Sequence, residues 1–235
     1  MSVLAHVVLG GPQQSEPAAT QALAYVLKSN PDIARAFVRM IRDAGVEFEP
    51  GRIEAELAHE ESQPDLTIHD TDGHVRIFVE NKFWAPLTKA QPVSYLESLP
   101  EDPPSALVFV VPEQRISTVW QELKERCIQA DLQWADAPGS LSVVSARIGS
   151  KALLITSWDY VLTGLLDAAR EGNHDAVKIR NDLLQLQGLT TQMESDAFRP
   201  LRDDEITDQE AIRRLINYIE WSCPHTWCRS SGFRW

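Results

Sequence analysis

The chain has 235 residues, of which 43% are hydrophobic, and it carries a formal net charge of −12 at pH 7. This length and apolar content suffice for one α/β domain with a buried core and a helical extension. A membrane-spanning helix is excluded, because no stretch approaches the roughly 18 apolar residues that a span requires. Three cysteines are too few, and odd in number, for a disulfide framework.

The net charge and the amino-terminal sequence limit the expected cellular location and the expected binding partners. The first stretch, MSVLAHVVLGGPQQ, has no Lys or Arg before its apolar part and is a weak secretory signal, so a cytoplasmic location is expected. A protein that coats nucleic acid is usually basic, because phosphate neutralisation supplies most of its non-specific affinity. A role on nucleic acid would therefore need a local basic patch, a metal ion or a partner protein.

The first third of the chain predicts two helices and a strand. SEPAATQALAYVLKSN predicts a helix with Ser15 as N-cap and Pro17 in its first turn. PDIARAFVRMIRDAG predicts a second helix that ends at Gly45. In GRIEAELAHEESQ, apolar and acidic residues alternate, which favours a strand over a short helix.

A β hairpin is predicted for PDLTIHDTDGHVRIFVENK, Pro64 to Lys82. Asp72-Gly73 is typical of a two-residue type I′ turn, which needs positive φ at both central positions. With that turn, three pairs face each other across the hairpin: Thr71 with His74, Ile68 with Ile77, and Asp65 with Glu80. Two carboxylates therefore lie opposite each other at the open end.

The rest of the chain predicts alternating elements followed by helices. AQPVSYLESL is a short helix, SALVFVVP a buried strand, ISTVWQELKERCIQ an amphipathic helix and KALLIT another strand. From Ser157 onward, SWDYVLTGLLDAAR, AVKIRNDLLQLQGLTTQM and DQEAIRRLINYIEW all predict helices. We expect a core over 1–156, a helical extension packed on it over 157–222, and an irregular tail over 223–235. The tail's Cys223, His225 and Cys228 fit no strong zinc spacing.

The opposed carboxylates are the strongest chemical signal. Directly opposite residues have Cβ atoms about 4.5–5.5 Å apart, so Asp65 and Glu80 would repel each other, and one pKa would rise. A bound cation relieves that repulsion, and hard oxygen ligands suit Mg²⁺ or Mn²⁺. Lys82 shares the strand face of Glu80, where its ammonium can hold water or an anion, and the backbone carbonyl of Asn81 stays near the metal position. The plainer alternative is a loop-ending Asp65 and a solvated Glu80–Lys82 pair.

These residues resemble the PD-(D/E)XK nuclease superfamily. The motif residues are Pro64-Asp65 and Glu80-Asn81-Lys82. Gln91 and Tyr95 match the Gln-x-x-x-Tyr helix motif of several branches. Glu16, with Thr20 one turn later, is similar to the first-helix acid that often completes the metal site. The later ITSWDYVLTGLLD, NDLLQLQGL and AFRPL are similar to segments of uncharacterised bacterial members with a helical C-terminal part. The resemblance covers roughly residues 15 to 205.

The resemblance implies a restriction-endonuclease-like mixed central sheet flanked by helices. It also implies Mg²⁺- or Mn²⁺-dependent hydrolysis of phosphodiester bonds. The implied partner is nucleic acid, with DNA as the first candidate substrate. By resemblance, Asp65 and Glu80 ligate the metal, and Asn81 and Glu16 add ligands. Lys82 takes part in catalysis together with the two carboxylates. Gln91 and Tyr95 position the substrate.

Two alternatives stay open at this stage. An acid in a first helical turn also interacts favourably with the helix dipole, so Glu16 need not be a ligand, and Glu54 or Glu56 could reach the site instead.

The chain could also be a catalytically silent nuclease fold. Such a chain would bind or regulate a partner within a defence or repair assembly, or act as a homo-oligomer. The net charge of −12 favours a protein partner that supplies the DNA affinity.

Overall fold

The computed structural model describes residues 15–55, 63–137, 142–170 and 176–196. These residues form a mixed seven-stranded sheet flanked by helices, so the predicted α/β class and the mixed sheet are confirmed. The strand order is β1-β2-β3-β4-β7-β6-β5. The three central strands β3, β4 and β7 run parallel, and the strands on either side pair antiparallel.

The elements have the following bounds. The strands are β1 Pro50–Ala55, β2 Leu66–Asp70, β3 Val75–Asn81, β4 Ala106–Val111, β5 Trp134–Asp136, β6 Val143–Ile148 and β7 Lys151–Ser157. The α-helices are α1 Ser15–Ser29, α2 Pro31–Met40, α3 Val93–Ser98, α4 Ile116–Gln129, α5 Trp158–Arg170 and α6 Ala176–Asp196. Short 3₁₀ turns cover Arg42–Ala44 and Glu113–Arg115.

The core lies on both faces of the sheet. Strand β4 is buried along its whole length, as a continuous apolar run predicts for a central strand. Its residues alternate between two clusters: Ala106, Val108 and Val110 join one, while Leu107, Phe109 and Val111 join the other. Helices α1, α2, α5 and α6 cover the first face, and α3 and α4 cover the second.

Most predicted helix boundaries agree with the structure, but the second predicted helix runs to Gly45, whereas α2 ends at Met40 and a 3₁₀ turn covers Arg42–Ala44. Asn30 caps α2 by accepting hydrogen bonds from the N–H groups of Asp32 and Ile33. Gly45 ends the following 3₁₀ turn with a left-handed φ of 77°, a conformation that glycine adopts without strain. The first two helices predicted after Ser157 correspond to α5 and α6, which contribute to the same core cluster as α1 and α2. The third, DQEAIRRLINYIEW, and the predicted tail lie outside the described residues.

Two strands are absent from the sequence-based prediction. β5 and β6 complete one side of the sheet, where β6 pairs with β7 along its length. β5 has only three residues, of which two are exposed, so it carries almost no apolar pattern. Of the helices in the described ranges, none is long and apolar enough to cross a membrane.

The hairpin turn differs from the predicted type I′ turn. The carbonyl of Asp70 accepts a hydrogen bond from the Gly73 N–H, and the Asp70 N–H donates to the His74 carbonyl, so the Thr71–His74 pairing is wrong. Among the described turn residues only Gly73 has positive φ, at 88°. The Asp70 carboxylate explains the difference, because its Oδ1 accepts from the N–H groups of Asp72 and His74 and stabilises a wider turn.

The predicted register is nevertheless right at the open end of the hairpin. His69 pairs with Val75, whereas Ile68 pairs with Ile77, so β3 carries one extra residue between these pairs. This bulge restores the register that the wider turn had shifted, and Leu66 faces Val79 as predicted. Asp65 and Glu80 are next in that register.

Candidate active site

Asp65 lies against the carboxyl end of β3. It comes directly before β2, and its Oδ2 accepts a 2.7 Å hydrogen bond from the backbone N–H of Asn81. Lys82 extends β3 toward β4, because its N–H donates to the Val110 carbonyl. The structure therefore brings Asp65 together with the Glu80-Asn81-Lys82 segment, as the register predicted.

Glu80 is the most unusual residue of this site, because it is an acid that is only 3% exposed. Its Oε1 is 2.8 Å from Nζ of Lys82 and accepts a 2.7 Å hydrogen bond from Nε2 of Gln91. Its Oε2 is equally buried but has no hydrogen-bond partner among the described residues. A buried carboxylate oxygen without a partner costs free energy unless a cation or a water binds it.

Gln91 and Tyr95 connect Glu80 to the segment before Asp65. Oε1 of Gln91 accepts from the Thr88 N–H at 3.1 Å, so the amide nitrogen must face Glu80 as a donor. The same nitrogen lies 3.2 Å from the Tyr95 hydroxyl, which in turn donates to the Gln63 carbonyl at 2.6 Å. The two residues of the Gln-x-x-x-Tyr pattern thus brace both the acid and the chain that leads into Asp65.

Burial, and then the charge of Glu80, keep the Tyr95 hydroxyl protonated. Burial raises the pKa of the Tyr95 hydroxyl, and the negative charge of Glu80 raises it further, while the hydrogen bond from Gln91 opposes the rise. The hydroxyl therefore remains a donor to the Gln63 carbonyl over the whole neutral range. Tyr95 orders the site and is not placed to act as a base.

Asn81 faces the opposite side of the sheet from Glu80. Its side-chain Nδ2 donates to Oγ1 of Thr20 at 2.9 Å, and both residues are 2% exposed. This bond fixes α1 against the end of β3. Glu16 belongs to α1 one turn before Thr20, but its side chain lies outside the described residues, so its ligand role stays a prediction. The ligand role of the Asn81 backbone carbonyl likewise stays a prediction.

The other acids considered from the sequence lie elsewhere. Glu54 binds Nε2 of His69 at 2.9 Å, and Glu56 lies outside the described residues. His69 itself is buried, at 5% exposed, and its Nδ1 lies 3.2 Å from the Gly73 carbonyl.

A second acidic group occurs at the hairpin turn and has a structural explanation. Asp70, Asp72 and His74 place ligand-type atoms within 4.8 Å of one another. However, Oδ1 of Asp70 already accepts two backbone hydrogen bonds, and its Oδ2 pairs with Arg76 at 3.3 Å. These contacts hold the pKa of Asp70 below its usual value although desolvation opposes them. They account for the group as a turn cap.

One arginine near the site has no sequence signal. Arg126 on α4 donates to backbone carbonyls in the loop that carries Gln91. In the sequence it is one of several charged residues on an amphipathic helix, and nothing marks it as different from its neighbours. Only the packing of α4 beside the loop reveals the contact.

The donor set fits a small divalent cation. Asp65 and Glu80 offer carboxylate oxygens, which Mg²⁺ and Mn²⁺ prefer. Oε2 of Glu80 is a buried oxygen without a hydrogen-bond partner among the described residues, as are Oδ1 of Asn81 and Oγ1 of Thr88, whereas Oε1 of Glu80 is occupied by Lys82 and Gln91. The arrangement can therefore hold a cation on one side of Glu80 while a fixed ammonium remains on the other.

No protein-family model matches this chain, and neither a curated protein nor a solved structure shows a significant match.

Proposed function

We propose that the chain is a metal-dependent nuclease of the PD-(D/E)XK type that acts on nucleic acid, DNA first of all, in the cytoplasm. The observation that carries the proposal is the buried, unpartnered Oε2 of Glu80, close to Lys82 and at the strand end that Asp65 contacts. A restriction-endonuclease-like arrangement of the mixed sheet is part of the same proposal. It is supported by the position of the acids at the carboxyl end of a central strand.

In this mechanism Asp65 and Glu80 would hold the cation, with Glu16 and the Asn81 carbonyl as further candidates. When bound, Mg²⁺ supplies positive charge that stabilises the developing charge on phosphate and makes water a stronger nucleophile. Lys82 would donate hydrogen bonds to the attacking water or to a phosphate oxygen, and its Nζ lies 2.8 Å from Oε1 of Glu80. Gln91 keeps Oε1 of Glu80 occupied, so Oε2 is the oxygen that would be left for the cation.

The proposal is tested by cleavage of labelled single- and double-stranded DNA and RNA in Mg²⁺ or Mn²⁺. We expect the wild-type chain to cut at least one of these substrates and Asp65→Ala and Lys82→Ala to have lost at least a hundredfold in rate. The exposed Lys178 on α6 provides a matched control, because Lys178→Ala removes the same charge outside the site. Full activity in either site variant would refute the assigned roles.

The silent binding module is the second candidate, and the net charge of −12 favours it. Such a chain repels a polyanion on average and would rely on a partner for affinity. Metal binding separates the two functions. A ligand that binds only the folded state raises its stability, so the nuclease should melt at a higher temperature in Mn²⁺, whereas the silent module should show no change.

A further inference from the structure

We infer that Arg126 is a positioning residue, which fixes the amide of Gln91 against Glu80 through a single peptide group. The inference rests on the proposed function for its consequence in metal binding and cleavage. Its structural part concerns only contacts within the described residues. Those contacts form a chain from the guanidinium of α4 to the buried carboxylate.

The first link is between Arg126 and the loop that precedes α3. Its Nη2 donates to the Leu87 carbonyl at 3.2 Å, and its Nη1 donates to the Gln91 carbonyl at 2.8 Å and also to the Thr88 carbonyl. Glu122, one turn earlier on α4, binds the guanidinium at 2.6 Å. This ion pair orients a planar group whose several donors match the converging carbonyls.

The second link is one rigid peptide. The Leu87 carbonyl, which Arg126 binds, and the Thr88 N–H belong to the same peptide group, whose atoms are coplanar. That N–H donates to Oε1 of Gln91 at 3.1 Å. Fixing the carbonyl therefore fixes the direction of the N–H, and the guanidinium polarises the peptide and strengthens its donor.

The third link decides which atom of Gln91 faces Glu80. Because the Thr88 N–H binds the amide oxygen, the amide nitrogen is left to donate to Oε1 of Glu80 at 2.7 Å. A rotated amide would present its oxygen to the carboxylate, which is repulsive. Arg126 thus acts on the carboxylate through Gln91 without touching it, as supporting residues of metal ligands commonly do.

Arg115 provides a matched control on the same loop. Its Nη1 donates to the carbonyls of Phe83 and Ala85 at 2.6 and 3.2 Å. The chemistry is the same as that of Arg126, a guanidinium on backbone carbonyls, but the contacted peptides do not reach the side chain of Gln91. A general loosening of the loop would follow from either substitution, whereas the relay would be lost only with Arg126.

The first measurement is the side-chain amide signal of Gln91 in ¹⁵N NMR spectra, assigned by its loss in Gln91→Met. We expect Arg126→Met to shift or broaden this signal and Arg115→Met to leave it in place. If Arg126→Met does not fold, Arg126→Lys serves instead, since a single ammonium cannot span the three carbonyls. An unchanged Gln91 signal in a folded Arg126 variant would overturn the relay, whatever the protein's activity.

The second measurement is the dissociation constant for Mn²⁺ by calorimetry. We expect Arg126→Met and Gln91→Met each to weaken binding about tenfold, as loss of ligand-supporting contacts commonly does. The double variant should be no weaker than Gln91→Met alone, because both changes break one pathway. Additive losses would overturn the relay. A wild-type chain that binds no Mn²⁺ would refute the proposed function, while the NMR result would still decide the relay.

Discussion

At the scale of single residues, the two oxygens of Glu80 have different neighbours. Lys82 and Gln91 both bind Oε1, which compensates part of the cost of burying the charge. Oε2 has no partner within the described chain. If Glu80 were buried only for stability, both of its carboxylate oxygens would be expected to have hydrogen-bond partners. The difference between Oε1 and Oε2 therefore favours a role for Glu80 as a metal ligand.

The meeting of Asp65 with the Glu80–Lys82 segment was predictable from the sequence, but the contacts around them were not. The spacing of Asp65, Glu80 and Lys82 around a hairpin was sufficient to predict that they meet. The hydrogen bond from Thr88 that orients Gln91, and the reach of Arg126 from α4, depend on how a helix distant in sequence packs on a loop. No local pattern encodes that packing.

Loss of the Lys82 ammonium should destabilise the protein. The ion pair is nearly buried, with side-chain exposures of 12% for Lys82 and 5% for Glu80. Removing one partner leaves an uncompensated buried charge, so Lys82→Met should lower the free energy of unfolding by on the order of 3 kcal/mol. Urea denaturation measures this. Lys89→Met, on the surface, should change it by less than about 0.5 kcal/mol, and an equal effect of both would contradict the pairing.

Tyr95 should make stability fall at high pH. Its folded-state pKa is raised by burial and by Glu80, so its contribution is complete below about pH 10, the ordinary tyrosine pKa. The contribution is lost as the pH rises above that value, because the unfolded chain then ionises more readily. Melting curves between pH 8 and 11 should show a smaller loss in Tyr95→Phe than in the wild type. The exposed Tyr25 is the control, and an equal effect of Tyr25→Phe would argue against this cause.

At the scale of elements, the hairpin shows why a register can be predicted when its turn is not. Both faces of β3 are buried, with Ile77 and Val79 in one core cluster and Phe78 in the other, so a one-residue slip would exchange residues between two cores and is costly. The turn type depends on the Asp70 side chain, which accepts hydrogen bonds from backbone N–H groups. The Asp72-Gly73 pair predicts a different turn, because it carries no information about this side-chain contact.

Strand β6 is absent from the prediction because its sequence includes Ser145 and Arg147, which interrupt the apolar pattern. Only its pairing with β7 identifies it as a strand.

The bond between α1 and β3 should be worth a measurable part of the stability. Thr20→Val keeps the shape of the side chain but leaves Nδ2 of Asn81 buried without its acceptor. Such a group costs about 1–3 kcal/mol, so the midpoint of urea unfolding should fall accordingly. Thr191→Val, on an exposed position of α6, is the matched control. A Thr20→Val protein as stable as the control would show that this contact does not hold the helix.

At the scale of the whole molecule, the charges of acids on different elements act on one another. Glu194 on α6 is influenced by Asp159, at the start of α5 after β7, and by Glu113, just after β4. β4 and β7 are parallel neighbours, so their carboxyl ends lie at the same edge. Burial, and then the charges of these two acids, raise the pKa of Glu194 to about 7.

This carboxyl should make the protein less stable above neutral pH. Because the folded-state pKa lies above the ordinary value of 4.5, its stabilising contribution is complete below pH 4.5 and is lost as the pH rises through about 7. Glu194→Gln should therefore melt at a higher temperature than the wild type at pH 8 and at nearly the same temperature at pH 5. Glu125→Gln, at an exposed position, should show no such difference. A Glu194→Gln gain that does not depend on pH would contradict the assigned cause.

The most direct test of a cation held by Glu80 is the rate of cleavage of labelled DNA as a function of Mg²⁺ concentration, in the wild type and in Glu80→Gln. The substitution preserves shape but leaves an amide in place of the buried carboxylate. We expect wild-type cleavage that saturates with Mg²⁺, and a folded Glu80→Gln chain that does not cut at any Mg²⁺ concentration. Equal cleavage by both chains, or none by the wild type, would contradict the proposed active site.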